Sequence, residues 1–557
     1  MALGTILVEQ RLLTDDQLAT AIVEQERSGQ RLDHVLVRLG MVSDSQVLAA
    51  IGEQFSMPVV DLQSYEITEE VLTSLPAKLI FKKRCVPLAI NGDTLQVATS
   101  DPFELTAFDE LRILTGKTID LVLADETNLR KFIRRHYGVA GDTLDALTDD
   151  DIDLPIDVGL SGAEDELGQA QEASVIKLVN DLLVEAIRER ATDIHIEPYE
   201  DTLIIRYRID GILISAGVPT TVSRFRHAII SRIKIMANLN IAEKRRPQDG
   251  RILFRYQQDD FDLRASVIPM LFGEGIVLRL LNKSAILLEL EDLGMPRFIR
   301  ERWDDLIGRP HGILLVTGPT GSGKSTTLYA SLNRIVSDSV KAITVEDPVE
   351  YHVDGVNQIQ VHHDVGLNFA AGLRAILRHD PDIVMIGEIR DQETAEAAIQ
   401  ASLTGHLVFS TLHTNDAASA TTRLLDMGVE PFLVSSSLEG VLAQRLVRRV
   451  CSNCAEHVSV KSLDVPASFK ARPEDHLRIG KGCGECRQTG LRGRIGLFEL
   501  LRVTEDVRTQ IMERTNASTI SKAAEKVGDL TRLIDSGLEK VRAGETTFSE
   551  VLRVTRT

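Results

Sequence analysis

Aromatic residues are scarce: Phe, Trp and Tyr make up 4% of the 557 residues, with a single Trp. Surfaces that stack nucleobases or line a membrane interface depend on such rings, so their scarcity weighs against both roles. Long apolar runs are missing as well. The most hydrophobic stretches, such as 313–316 and 383–386, are only strand-length, far short of the roughly 20 residues that span a bilayer. Basic charge is the third shortage. Lys and Arg number 63 against 82 Asp and Glu, a formal net charge of −19, which opposes the approach of a polyanion and speaks against nucleic acid as a partner. No basic stretch leads into an apolar one near Met1, and Glu9 is already acidic, so the chain is expected to stay in the cytosol. Cysteines number five. In a reducing compartment a disulfide framework is the weaker reading, and their spacing matters more than their number.

What is present is modular, because a chain of 557 residues exceeds a single core and suggests roughly three to four domains. Residues 1–58 hold two similar stretches, each reading as two short helices. Thr14 and Ser43 stand as N-caps three residues before Gln17 and Gln46, the spacing of a capping box. Residues 59–140 mix expected strands at 86–90, 94–98 and 118–123 with helices at 67–74, 103–115 and 127–137, a small α/β domain. From 141 to 172 acidic residues accumulate without one Lys or Arg. Such a like-charge run resists collapse and reads as a flexible linker. Residues 173–285 open with a helix at 174–191 and continue in strand-like alternation at 202–209, 211–216, 251–256 and 261–268, an α+β domain. Over 286–557, strand-length runs of Ile, Leu and Val alternate with helical stretches, as in a parallel α/β sheet.

The chemistry lies in that last segment. A buried strand at 311–317 runs straight into Gly318, Pro319, Thr320, Gly321, Ser322, Gly323, Lys324 and Ser325, followed by Thr326. This satisfies the phosphate-loop pattern in its expected strand-to-helix context. The glycines let backbone N–H groups turn toward phosphates, Lys324 supplies charge to the outer ones, and Ser325 is placed to ligate Mg²⁺, so ATP is the expected ligand. A second strand, 342–345, ends in Glu346, and a third, 382–391, carries Glu388 where a Walker B acid stands. Hydrolysis needs one carboxylate to organise Mg²⁺ and another to orient or deprotonate the attacking water. The water is assigned to Glu346 and the metal to Glu388, with an exchange of roles left open. On a fourth strand, 406–415, His413 is a candidate donor to the γ-phosphate, a structural hydrogen bond being the competing reading. Phosphate-loop sheets also drive nucleic-acid motors or sense nucleotides without turnover. The net charge of −19 disfavours the first, and intact Lys324, Ser325, Glu346 and Glu388 disfavour the second.

Cys451 and Cys454 form one C-x-x-C knuckle and Cys483 and Cys486 another, the arrangement of a structural zinc site with no open coordination position. A zinc-stapled subdomain is expected at about 446–496. Redox motifs or an iron–sulfur cluster compete with that reading. Cys85 lies in an apolar stretch and reads as a buried bystander.

These motifs together resemble the secretion ATPase superfamily that powers type II secretion and type IV pilus assembly. The resemblance spans nearly the whole chain and rests on 236–251, 318–326, 343–350, 380–391, 404–415 and the two knuckles. It implies a RecA-like ATPase domain preceded by an α+β, PAS-like domain and an N-terminal helical plus α/β region. Segments 344–350, 382–391 and 406–413 look like the family's aspartate box, Walker B motif and histidine box. Arginines supplied to the phosphates by the preceding domain would be Arg251, Arg264 and Arg279. Also implied are a homohexamer, an inner-membrane platform protein, the cytoplasmic domain of a membrane-anchored assembly protein, and peripheral attachment to the inner membrane through those partners. The cysteine subdomain and long N-terminal region resemble secretion and pilus-extension ATPases rather than retraction ATPases. Type II secretion is the expected process, with pilus extension as the alternative.

The N-terminal repeat resembles a cyclic di-GMP module with the motif R-L-G-x-x-L-L-x-x-G-L. Here Ala2 replaces the first Arg, Arg11 the second Gly of the first copy, and Asp33 the first Gly of the second, so that Leu3-Gly4, Arg31-Leu32 and Gly40 remain. Losing glycines where backbone approaches a ligand is a steric obstacle. A helical module docking on a membrane partner is the competing reading.

Overall fold

The computed structural model describes residues 3–28, 31–62, 65, 67–138, 173–282, 288–460, 465, 469–473 and 475–555. The acidic stretch 141–172 and the expected boundary at 285–286 lie outside the described residues. The chain forms two compact units, one of residues 1–256 with 262–280 and the other of 257–261 with 281–557.

In the first unit the N-terminal repeat is a duplicated helix pair, Leu3–Glu9 with Asp15–Ser28 and Leu32–Arg38 with Asp44–Phe55. Both expected capping boxes form: Ser43 and Gln46 bond reciprocally, as do Thr14 and Gln17. Leu7, Ala21, Val35, Leu36 and Ile51 make the shared core. Beyond it a three-stranded sheet joins β1 (Cys85–Asn91), β2 (Thr94–Thr99) and β3 (Thr118–Leu123), with β2 antiparallel to β1 and parallel to β3. The expected strands match within about two residues, whereas the helix expected at 67–74 is one turn, Glu69–Leu72. Cys85 is fully buried in this layer's core, and burial pushes its thiol up to about 12.

The helix Ala173–Arg188 precedes β4 (Asp193–Pro198), β5 (Leu203–Ile209), β6 (Ile212–Ser215), β7 (Gln248–Tyr256), β8 (Asp259–Met270) and β9 (Gly273–Asn282). They form one sheet in the order β6-β5-β4-β9-β8-β7. Three elements here carried no sequence expectation: β4, β9 and the helix Arg226–Met236. Charge sits inside that helix: Lys234 is 0% exposed, its ammonium bonded to Glu274 at 2.6 Å and to the Glu243 carbonyl at 2.9 Å. A buried cation paired this way blurs the apolar stripe by which a helix is recognised.

The second unit is built on an eight-stranded sheet. Its strands are β10 (Gly312–Thr317), β11 (Ala342–Glu346), β12 (Val356–Gln360), β13 (Ile383–Ile386), β14 (Leu407–Leu412), β15 (Leu438–Val450), β18 (Leu491–Arg502) and β19 (Leu530–Thr531), with β16 (Ala455–His457) and β17 (Arg478–Gly480) pairing separately. The order is β12-β11-β13-β14-β10-β15-β18-β19, parallel from β12 to β15 and antiparallel from there to β19. Ile313 and Leu315 face one core with Ala398 and Leu424. Leu314 and Val316 face the other with Trp303 and Leu328. Helices cover both faces, so each central strand reads as an unbroken apolar run. The carboxyl ends of β10, β11, β13 and β14 open together along one edge, where a doubly wound sheet holds its ligand.

Candidate functional site

The loop after β10 needs its glycines. Gly318 has φ +149° and a Cβ there would come within 2.5 Å of the Gln444 carbonyl oxygen on β15, while Gly323 has φ +87°. The helix Lys324–Ile335 starts at once and aims its free N–H groups and dipole at the loop. Lys324 Nζ donates to the carbonyls of Gly318 at 2.9 Å and Pro319 at 3.1 Å. Burial depresses its pKa, the charge of Glu388 opposes that, and Arg445 adds to it. A partly desolvated ammonium beside an acid is suited to bind a polyphosphate chelated to a divalent cation.

Glu346, the last residue of β11, is 4% exposed. It accepts hydrogen bonds from Thr344 Oγ1 at 2.6 Å, from Gln358 Nε2 at 3.1 Å and from the Tyr329 hydroxyl. Glu388, beyond β13, pairs with Arg390 and lies 3.1 Å from His413 Nε2. Because β13, β14 and β10 are adjacent and parallel, Glu388 lies at the same end of the sheet as the phosphate loop. His413 follows β14 and is half exposed, so Lys324, Glu388 and His413 come together at the edge where three parallel strands end. Thr317 Oγ1 and Thr414 Oγ1, 2.8 Å apart, tie β10 to the segment after β14.

Arg251, Arg264 and Arg279 lie in the first unit, on β7, β8 and β9. Arg251 pairs with Asp262, and Arg279 Nε donates to Asp193 at 3.2 Å. Both are about half exposed, at 55% and 51%.

Sequence reasoning missed several neighbours of the site. Tyr329 and Gln358 bond Glu346, and Arg390 pairs with Glu388. On β15, Gln444 Oε1 accepts from Thr327 Oγ1 at 2.6 Å, and Arg445 Nη2 donates to Asn415 Oδ1 at 2.9 Å. Arg390 stood inside a recognised segment and could have been singled out. Tyr329 and Gln444 carry no motif signal, because only packing sets them beside the loop.

The cysteines occupy the excursion between β15 and β18. All four sulfurs lie within 4.8 Å of one another. Cys451 and Cys483 are 3.9 Å apart, Cys454 and Cys486 3.8 Å, and Cys483 and Cys486 3.7 Å. A Zn–S bond of about 2.3 Å implies a tetrahedral S···S edge of about 3.8 Å, so the sulfurs fit one zinc ion. Burial opposes ionisation of Cys483, but hydrogen bonds from Asn453 and backbone amides outweigh it and hold the thiol at about 6. Gly480 and Gly490 press backbone on backbone here, with a Cβ on either meeting the other's carbonyl oxygen at 2.0 or 2.3 Å.

Parallel strand order, phosphate loop and strand-tip acids define a phosphate-loop ATPase of RecA-like fold. The family model for type II/IV secretion system protein matches residues 168–553, and an MshEN domain matches 55–143, a span that begins at the last residue of the helical repeat and takes in the three-stranded sheet. The type IV pilus assembly ATPase PilB of Myxococcus xanthus is 42% identical, covering 99% of this chain and 98% of that protein. Type II secretion system protein E of Xanthomonas campestris is 41% identical, covering 99% and 97%. The solved structure of the ATPase DotB of Legionella pneumophila has the same fold with a TM-score of 0.50 and 20% identity, covering 72% of this chain and 98% of that one. The chain belongs to the type II/IV secretion system protein family and is a secretion ATPase. Among the described residues no helix is long and apolar enough to cross a membrane.

Proposed function

We propose that the chain hydrolyses ATP to drive pseudopilus assembly in type II protein secretion, with type IV pilus extension as the second reading. Near-equal identity to both kinds of full-length relative supports each process. The observation that carries hydrolysis is Glu388, bonded by His413 and felt by Lys324, beside a second buried strand-tip acid, Glu346. In this reading the amides of 318–323 and Lys324 bind the phosphates, and Thr326 closes the loop. Ser325 and Glu388 would hold Mg²⁺, which would supply charge neutralisation for a transferring phosphoryl group. Glu346 orients the attacking water and accepts its proton, while His413 positions Glu388 and is placed to answer the γ-phosphate. Arg251, Arg264 and Arg279 act as phosphate-facing arginines of a homohexamer. That hexamer works in the cytosol against an inner-membrane platform protein and the cytoplasmic domain of a membrane-anchored assembly protein. The four cysteines hold a structural zinc ion.

Turnover by Lys324→Ala and Glu388→Gln tests the site. Lys324→Ala is expected to lose ATP affinity and activity together. Glu388→Gln should keep nucleotide binding and lose roughly 100-fold or more in kcat. Wild-type turnover in either variant would overturn the assignment.

The MshEN match keeps cyclic di-GMP a candidate ligand of the N-terminal module, and the lost motif residues and the state of Arg31 weigh against it. A cleft of about 570 Å³ there is lined by Arg31, Arg38, Lys82, Lys83 and Arg84 as well as by acidic residues, and Arg31, the arginine the motif retains, is already engaged. Arg31 bonds Asp33 through Nε and Nη2 and both carboxylate oxygens of Asp101 through Nη1. A phosphate would have to displace two carboxylates to reach it. The module is read as a docking unit held together by this ion triad.

A further inference from the structure

Glu346 is a strand-tip acid that three separate elements hold. Thr344 reaches it from its own strand and Gln358 from β12, both on Oε1, whereas Tyr329 donates to Oε2 from the helix that begins at Lys324. A carboxylate offers about four acceptor directions, two on each oxygen. Three are filled, and the one left is on Oε2. At 4% exposure bulk water does not compete for these bonds, so the donors determine which lone pair stays free.

Tyr329 is itself rigidly placed. Its ring is fully buried and meets the Tyr351 ring edge-on at 4.5 Å, and its hydroxyl accepts from the Glu350 backbone N–H at 3.3 Å. Tyr351 in turn shares a hydrogen bond with Thr326 of the phosphate loop. Burial and the neighbouring Glu346 drive the Tyr329 pKa far up, so the hydroxyl keeps its proton and remains a donor. Among the described residues Glu346 has hydrogen-bond donors in Thr344, Gln358 and Tyr329 and no ion-pair partner, so these hydrogen bonds hold the carboxylate.

We propose that Tyr329 is a positioning residue for ATP hydrolysis: it holds Glu346 so that one Oε2 lone pair is left for the attacking water. Because Tyr329 rides on the helix that starts at Lys324, a displacement of the phosphate loop is passed to that carboxylate. The inference rests on the reading in which Glu346 handles the water.

Tyr329→Phe keeps the buried ring and removes only the hydroxyl oxygen. Steady-state turnover of the full chain is expected to show kcat lowered roughly tenfold or more. KM for ATP and the affinity for a non-hydrolysable ATP analogue should stay within about twofold. Combined with Glu346→Gln, the substitution should add little to the loss from Glu346→Gln alone, as expected of residues acting as a unit. An unchanged kcat in Tyr329→Phe, with Glu346→Gln inactive, overturns the inference. So does a kcat loss matched by equal losses of analogue binding and thermal stability, which marks a packing role. Full activity in Glu346→Gln instead overturns the underlying reading.

Discussion

Asp33 stands in the second helical repeat where Gly4 stands in the first, and this one difference redirects a cation. Its carboxylate takes the Arg31 Nε at 3.2 Å, while Asp101 takes Nη1 at 2.8 Å through both oxygens and the Phe103 ring packs 4.1 Å from the guanidinium carbon. Burial works against the charge, but the two carboxylates outweigh it and raise the Arg31 pKa. The first copy keeps the shape of the motif without its residues: Arg11 has φ +58° where Gly40 has φ +67°, a left-handed backbone that a side chain adopts at a cost. Isothermal titration of the full chain with cyclic di-GMP is therefore expected to give no saturable heat. Asp33→Gly with Asp101→Ala, which releases Arg31, should give measurable binding if the cleft is otherwise competent. A saturable isotherm with the unaltered chain would show that the triad opens for the ligand. The substitutions were visible in the sequence, but Asp101 was not, because it lies 70 residues from Arg31 and no local pattern pairs them.

Among the elements, the excursion between β15 and β18 shows how much order the cysteines impose. Those long strands pair along most of their length, Gly440 with Arg502 through to Val450 with Leu491. Among the described residues between them only short pieces form, β16 with β17 and a single turn at Gly484–Cys486. If zinc is held here as proposed, this segment draws part of its stability from the metal. The purified chain is expected to carry one zinc per chain by elemental analysis. Stripping it with a chelator should open 451–490 to limited proteolysis and leave nucleotide binding largely intact, since the phosphate loop sits on β10. Absence of zinc, or a protease pattern insensitive to chelator, would refute the assignment. The knuckles were legible because ligand spacing survives in linear order. β4 and the helix Arg226–Met236 were not, since β4 is short and the helix buries Lys234 against Glu274.

In the whole molecule the phosphate loop and strand-tip acids lie in one unit, and the three arginines proposed to face phosphates lie in the other, on β7, β8 and β9. If the arginines serve a neighbouring chain's nucleotide, two inactive variants should complement each other. Lys324→Ala chains retain the arginines, and Arg279→Ala chains retain the phosphate loop. Mixed, they are expected to recover part of the turnover that each lacks alone, with activity rising with protein concentration. Activity that stays absent at every ratio, with assembly intact by light scattering, would argue that each chain uses its own arginines.

By itself the sequence determined the phosphate loop at 318–325, the parallel α/β alternation around it, both capping boxes and the pairing of two cysteine knuckles that brings four sulfurs together. Each of these is a contiguous or short-period pattern, set by backbone geometry and residue type within a few positions. The tertiary structure alone decided which atoms the functional groups meet. It set Tyr329 and Gln358 on Glu346, brought Glu388 to His413, and closed Arg31 between Asp33 and Asp101. Those contacts arise where separate strands and helices converge, and their partners are chosen by packing rather than by distance along the chain.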